Sequence, residues 1–229
     1  MIDWSAIDTV FLDMDGTLLD LHFDNYFWLH HLPRRYAEHH NLDPDQALEH
    51  LLSQFASKQG TLDWYCTDYW SYTLAVDIPA LKREVSHLIA ERPQVRRFLQ
   101  QLGADQRARI LITNAHRHSL NLKLDITGID ALLDQVISSH DYGAPKESRA
   151  FWQQLATQVN FNPARSLFID DSEAVLRAAR AYGIKQLICI RQPDSKQAPR
   201  GNLEFPAIDH FDELLATPLN DDLRGTGTG

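Results

Sequence analysis

Only two cysteines, Cys66 and Cys189, occur in 229 residues. They stand far apart, each in an apolar or aromatic run. That excludes a disulfide framework and offers none of the paired spacings of a structural zinc site. The expectation is two reduced, buried thiols in a cytoplasmic protein. Long hydrophobic runs are also missing: nothing approaches the roughly 18 consecutive apolar residues that would suggest a bilayer span. The opening MIDWSAID is acidic and runs straight into a strand, unlike a secretory leader. Positive charge is scarce, with 22 Lys and Arg against 31 Asp and Glu and a net charge of −9. A surface of that sign disfavours polymeric nucleic acid and anionic membranes as partners. No internal repeat is visible. The 44% hydrophobic content suffices for one sizeable core, or a core with a smaller module.

The chain is organised around residues 7–20, IDTVFLDMDGTLLD. The apolar run Val10-Phe11-Leu12 ends in Asp13 and Asp15, followed at once by Gly16-Thr17. Side chains alternate along an extended backbone, so Asp13 and Asp15 share one face and Met14 takes the other. Two carboxylates about 4 Å apart repel by roughly 4 kcal/mol at an effective dielectric of about 20. A strand tip tolerates that if a divalent cation sits between them or one carboxyl keeps its proton. Together these conditions describe a phosphoryl-transfer site. The plainer alternative is a buried strand ending in a polar turn, with Gly16 at positive φ.

Residues 7–13 read as the first strand. From 18 to 92 the pattern turns helical and aromatic. Asp24 is placed to cap a helix over 25–40, and Asp43-Pro44 opens one over 42–55. Further helices are expected over 61–74 and 79–90. After Pro93 strands and helices alternate. Strands fall at 108–113, 135–139, 166–170 and 186–190, and helices at 93–102, 118–126, 147–159 and 173–183. This alternation predicts right-handed βαβ units, hence an α/β fold with an open, parallel, Rossmann-like sheet, helices on both faces and an all-helical insert after the first strand. The implied division is a core of 1–17 and 93–220, a helical cap of 18–92 and a disordered tail at 221–229. Residues 191–202 read as a polar loop, and a short helix is expected near 211–216.

Each remaining polar motif falls at the C-terminal end of a strand, where such sheets bind ligands. The 108–113 strand ends in Thr113-Asn114, either a phosphate cradle or the cap of the next helix. After 135–139 comes Lys146, able to neutralise a phosphate oxygen and a carboxylate, or simply a solvated lysine. The 166–170 strand ends in Asp170-Asp171-Ser172, a second acidic pair that calls for a cation or a proton.

With DMDGT, TN, PK and DDS in this order over residues 7–190, the sequence resembles the haloacid dehalogenase (HAD) superfamily of phosphohydrolases. The resemblance implies Asp13 as nucleophile forming an aspartyl phosphate, and Asp15 as the acid for the leaving alcohol and then the base for water. It implies phosphoryl oxygens held by Thr113 and Asn114, and charge compensation by Lys146. Mg²⁺ would be bound by Asp13, the Asp15 carbonyl oxygen and Asp171, with Asp170 beside it. Superfamily sheet order puts the 108–113 and 135–139 strands on one side of the first strand, and 166–170 and 186–190 on the other. Asp15 argues against a dehalogenase, which has no alcohol leaving group to protonate.

DMDGTLLD, FDNYFW, DWYCTDYW, TNAH, PKE and FIDDSEA carry a finer resemblance, to bacterial GMP/IMP 5′-nucleotidases. It implies a purine ribonucleoside monophosphate as substrate. Cap aromatics read either as core or as a platform for a flat base. Asn25, Tyr26, Trp64 and His116 are the candidates for substrate contact. A phosphatase of a sugar phosphate or phosphoglycolate is the alternative, followed by a phosphomutase and a non-catalytic binder of phosphorylated ligands. His30-His31 and His39-His40 read as solvated or capping.

Overall fold

The computed structural model describes residues 2–215. Its centre is a six-stranded, all-parallel sheet: β1 (Thr9–Leu12), β2 (Ala108–Thr113), β3 (Gln135–Ser138), β4 (Ser166–Asp170), β5 (Gln186–Ile190) and β6 (Ala207–Ile208), in the order β3-β2-β1-β4-β5-β6. The four strands expected to flank β1 do so on the expected sides. β6, a two-residue strand, escaped the sequence reading because it is too short for periodicity to register.

Between β1 and β2 lie α1 (His22–Tyr26), a π-helical stretch (Phe27–His31), α2 (Leu32–His40), α3 (Pro44–Lys58), α4 (Leu62–Tyr65), α5 (Thr67–Leu74) and α6 (Ile78–Glu84). From there to β6 the helices are α7 (Val95–Ala104), α8 (Arg117–Thr127), α9 (Arg149–Gln158) and α10 (Glu173–Tyr182). The closing 211–216 helix is a single 3-10 turn, Phe211–Leu214. The tail expected at 221–229 lies outside the described residues.

Alternation along the buried strands builds two cores, one on each face of the sheet. Val10, Leu12, Leu111, Leu167 and Ile169 pack against Val95, Phe98, Leu99 and Leu102 of α7. Phe11, Ile110, Ile112 and Phe168 pack against Phe151, Trp152 and Leu155 of α9 and Val175, Leu176 and Ala179 of α10. Met14 joins the first core, as the alternation requires. A third cluster belongs to the helices between β1 and β2, with Phe23, Phe27, Leu51, Phe55, Trp70 and Leu81 at its centre.

Local details depart from the sequence reading for identifiable reasons. Asp24 is no cap: it sits inside α1, whose N-cap is Leu21, and its carboxylate is taken by two lysines. The helix over 22–40 widens at 27–31, where the Leu32 N–H reaches back to the Phe27 carbonyl. That widening accommodates Pro33, which has no N–H and would crowd a regular turn. The helix expected over 61–74 breaks at Cys66, an extended residue that ends α4 and caps α5 through its sulfur. Cys66 is therefore half-buried rather than buried, whereas Cys189 is buried in the second core. Of the histidine pairs read as solvated or capping, His31 is instead buried, with Nε2 2.9 Å from Glu84.

After β1 the chain reverses tightly. The Gly16 N–H donates to the Leu19 carbonyl at 2.8 Å, and Gly16 has φ +83°. A Cβ there would lie 2.9 Å from both Asp171 Cγ and Pro193 Cβ. Glycine is required twice over, by its backbone conformation and by the approach of Asp171. Gly16→Ala should cost about 1–3 kcal/mol in a denaturant melt and displace Asp171, lowering activity beyond what the stability loss explains.

Candidate active site

The tips of β1, β2 and β4 and the loop after β3 converge on one pocket of about 270 Å³, lined by Asp13, Asp15, Thr113, Asn114, Lys146, Asp170 and Asp171 among others. Every side chain to which the four motifs assigned a role, from Asp13 and Asp15 to Asp170 and Asp171, is there. Lys146 is buried at the floor. Its ammonium donates to Asp13 Oδ1, to Asp170 Oδ2 at 2.8 Å and to the Ile112 carbonyl at 3.1 Å. Asn114 holds it in place, with Oδ1 accepting the Lys146 N–H at 2.9 Å and Nδ2 donating to Glu147 at 2.9 Å. Thr113 Oγ1 accepts from the Ala115 N–H at 3.0 Å, which leaves its own proton for the pocket.

Asp13, Asp170 and Asp171 each offer a carboxylate oxygen within 4.8 Å of the others. Burial pushes Asp13 up to about 7, helped by the charges of Asp170 and Asp15 against the pull of Lys146. Asp171 rises to about 7 through burial and Asp13, and Asp170 to about 6 through burial despite Lys146. Lys146 is driven the opposite way from a normal buried lysine: burial alone would lower it, but Asp13 and Asp170 raise it.

A second buried network adjoins this one. Lys123, on α8, donates to Asp15 Oδ1 and Asp24 Oδ2, both at 2.6 Å. Lys82, on α6, donates to Asp24 Oδ1 at 2.7 Å and Ser119 Oγ at 3.2 Å, and sits against the rings of Phe23, Phe27 and Trp28. Burial would raise Asp24, but Lys123 and Lys82 outweigh it and hold Asp24 at about 2. Burial raises Asp15 in spite of Lys123. Five carboxylates (Asp13, Asp15, Asp24, Asp170 and Asp171) face three ammonium groups (Lys82, Lys123 and Lys146), two negative charges in excess when all are ionised.

Above the acidic pocket lies a larger cavity of about 420 Å³, lined by Trp28, Phe55, Trp64 and Trp70 with Asn25, Lys82 and Asp15. Asp15, Trp64 and Tyr65 line both spaces. The sequence profile of the haloacid dehalogenase-like hydrolases matches residues 7–183, from just before β1 to the end of α10. This chain belongs to that family. The GMP/IMP nucleotidase YrfG of Escherichia coli K12 is 42% identical over 214 residues, covering 93% of this hydrolase and 96% of YrfG. A HAD phosphatase from Thermococcus onnurineus superposes with a TM-score of 0.75 at 20% identity, covering 91% of this chain and 96% of its own. YfnB, a HAD-hydrolase of Bacillus subtilis described as bound to magnesium, superposes at 0.61 and 20% identity, with the same coverage. At those identities the two structures speak for the fold alone.

In this hydrolase the four candidates for substrate contact separate. Asn25 and Trp64 line the aromatic cavity, and Asn25 is fixed by donating to the buried Asp194 at 2.7 Å. Tyr26 and His116 line neither space. Tyr26 packs against His22 and His30, and His116 lies beside Thr67 and His140. Sequence reasoning missed Lys82, Lys123, Trp28 and Tyr65, whose hydroxyl donates to Glu147 at 2.7 Å. A lysine within an apolar helical stripe, as at LNLKLDI, is the one signal that could have found Lys123. The 191–202 stretch, read as a polar loop, also supports the site. Its Asp194 holds Asn25, and Arg200 donates to the Asp171 carbonyl at 2.7 Å.

Among the described residues no helix is long and apolar enough to cross a membrane.

Proposed function

We propose that this hydrolase is a Mg²⁺-dependent phosphomonoesterase that removes the 5′-phosphate of GMP and IMP through an aspartyl phosphate on Asp13. The position of Asp15 carries the reading. It stands between the acidic pocket and the aromatic cavity, where an oxygen joining a phosphoryl group in one to a nucleoside in the other would lie. The 42% identity to YrfG across nearly both full lengths supports the purine nucleotide. So does a cavity walled by three tryptophans and Phe55, since a flat base stacks on such rings. On this reading the described residues up to 17 and from 93 onward form the catalytic core, and 18–92 the cap that selects the leaving group.

The Asp13 carboxylate attacks phosphorus as the bond to the ester oxygen breaks. The Asp15 carboxyl gives its proton to that oxygen, then takes one from the water that hydrolyses the acyl phosphate. Lys123 occupies Oδ1 of Asp15, leaving Oδ2 to carry the proton. Lys146 and the Thr113 hydroxyl meet the phosphoryl oxygens, and Asn114 holds Lys146 in register.

The oxygen donors of Asp13, Asp170 and Asp171 suit a hard divalent cation, and the acids still outnumber the ammonium groups when Asp15 holds its proton. When bound, Mg²⁺ neutralises the phosphoryl group and the acids around it. A pH dependence follows. In metal-free protein these three groups have folded pKa values of about 6 to 7, above the ordinary value of 3.8. Their contribution to stability is present at low pH and lost as pH rises through that range. Mg²⁺ reverses the loss, so its stabilisation in thermal melts should be small at pH 5 and largest at pH 8. An effect independent of pH would argue against cation binding at these carboxylates.

The functional test is phosphate release across nucleoside 5′-monophosphates, sugar phosphates and phosphoglycolate, with and without Mg²⁺. GMP and IMP should lead, and EDTA should abolish turnover. Preference for the small esters would leave the purine assignment without support, and a bisphosphate requirement would indicate a mutase.

A further inference from the structure

Outside the residues that line the acidic pocket is a second group of ligating side chains that the reaction does not use. Cys66, at the break between α4 and α5, meets His116, the N-cap of α8, and His140, in the turn after β3. Each offers one ligand atom within 4.8 Å of the other two. The His116 and His140 rings meet edge to face at 4.9 Å, and Thr67 Oγ1 orients His116 from 2.7 Å. His140 Nε2 is buried with no hydrogen-bond partner among the described residues. A buried ring nitrogen without a partner is costly unless something binds it.

We propose that Cys66, His116 and His140 form a binding site for a zinc-class divalent cation that ties the helices after β1 to the tips of the sheet. One sulfur and two imidazoles are a borderline-soft donor set, which selects Zn²⁺ over the Mg²⁺ that suits the carboxylates. Binding releases the thiol proton to solvent and leaves a fourth tetrahedral position to water. Cys66 comes from the helical layer, whereas His116 and His140 come from the segments that follow β2 and β3. The cation therefore acts as a tether between the two layers and slows the opening that exchanges substrate and product. The adjacent Asp68, 3.7 Å from His116 and 3.1 Å from His118, forms a more exposed grouping without sulfur and is not part of the site. The proposal does not depend on which phosphate ester is hydrolysed.

Co²⁺ titrated into the whole protein in saturating Mg²⁺ is the probe. One tetrahedral cobalt per chain is expected, with a sulfur-to-metal charge-transfer band that Zn²⁺ displaces. The band should vanish in Cys66→Ser and in His140→Ala, and persist in Cys189→Ala and Asp68→Asn. X-ray absorption of the zinc-loaded wild type should give one sulfur and two nitrogen neighbours, a readout that needs no variant. Zn²⁺ should slow Mg²⁺-supported turnover by about tenfold in the wild type and leave Cys66→Ser unaffected. A band that survives in Cys66→Ser, no sulfur in the absorption spectrum, or equal inhibition of wild type and Cys66→Ser would overturn the proposal.

Discussion

Asp13→Asn should abolish turnover, lowering kcat by about 10⁴-fold or more, while the protein stays folded. A carboxamide cannot attack phosphorus to give an acyl phosphate, and no other residue lies where Asp13 does. Stability should survive because the change removes a charge that burial, Asp170 and Asp15 already oppose. Lys146 keeps Asp170 at 2.8 Å and the Ile112 carbonyl at 3.1 Å. The expected signature is a melting temperature near wild type, a weakened response to Mg²⁺ and no trapped phosphoenzyme on rapid acid quench with labelled substrate. Near-normal phosphate release by this variant would remove Asp13 from the chemistry.

Lys146→Met should damage both activity and folding. The ammonium is buried between two buried carboxylates, so its loss leaves Asp13 and Asp170 buried without a partner charge. Breaking a buried pair from one side costs about 3–5 kcal/mol. The sign of its pH dependence follows from the acids left behind. Without Lys146 both are raised further above 3.8, so the variant should be least stable above pH 7 and recover toward pH 5 as they protonate. Adding Asp13→Asn removes one stranded charge. The double variant should therefore be more stable than the sum of the single changes predicts, a coupling that urea melts of the full cycle will measure. Strict additivity would mean that the pair does not interact as its geometry implies.

The acidic pocket was legible because its parts are local in sequence. Asp13, Thr113-Asn114 and Asp170-Asp171 each sit at the end of a short buried strand, and a parallel sheet gathers such ends on one edge. Lys146 was legible through its place after β3. The neighbouring network was not. Asp24 looks like a helix cap, Lys82 and Lys123 like ordinary helical lysines, and only packing α1, α6 and α8 together makes them one buried chain ending on Asp15. The aromatic runs were similarly ambiguous. Trp70 is almost wholly buried yet still edges the cavity, and Trp64 reaches both spaces, while Tyr26 turns to neighbouring histidines. A stripe of rings at helical spacing fixes which face is apolar, not which ring borders a void.

What the amino-acid order determined by itself is the α/β alternation, the strand that carries Asp13 and Asp15, and the family to which these motifs point. Each depends on periodicity or on residues adjacent along the chain. What only the tertiary structure decided is the partner of each buried charge, the cavity beyond Asp15 and the meeting of Cys66 with His116 and His140. These depend on contacts between segments 50 to more than 100 residues apart, such as Cys66 with His116 and Asp15 with Lys123. Local pattern carries no record of such distances, because they are set by how the helices after β1 pack onto the sheet.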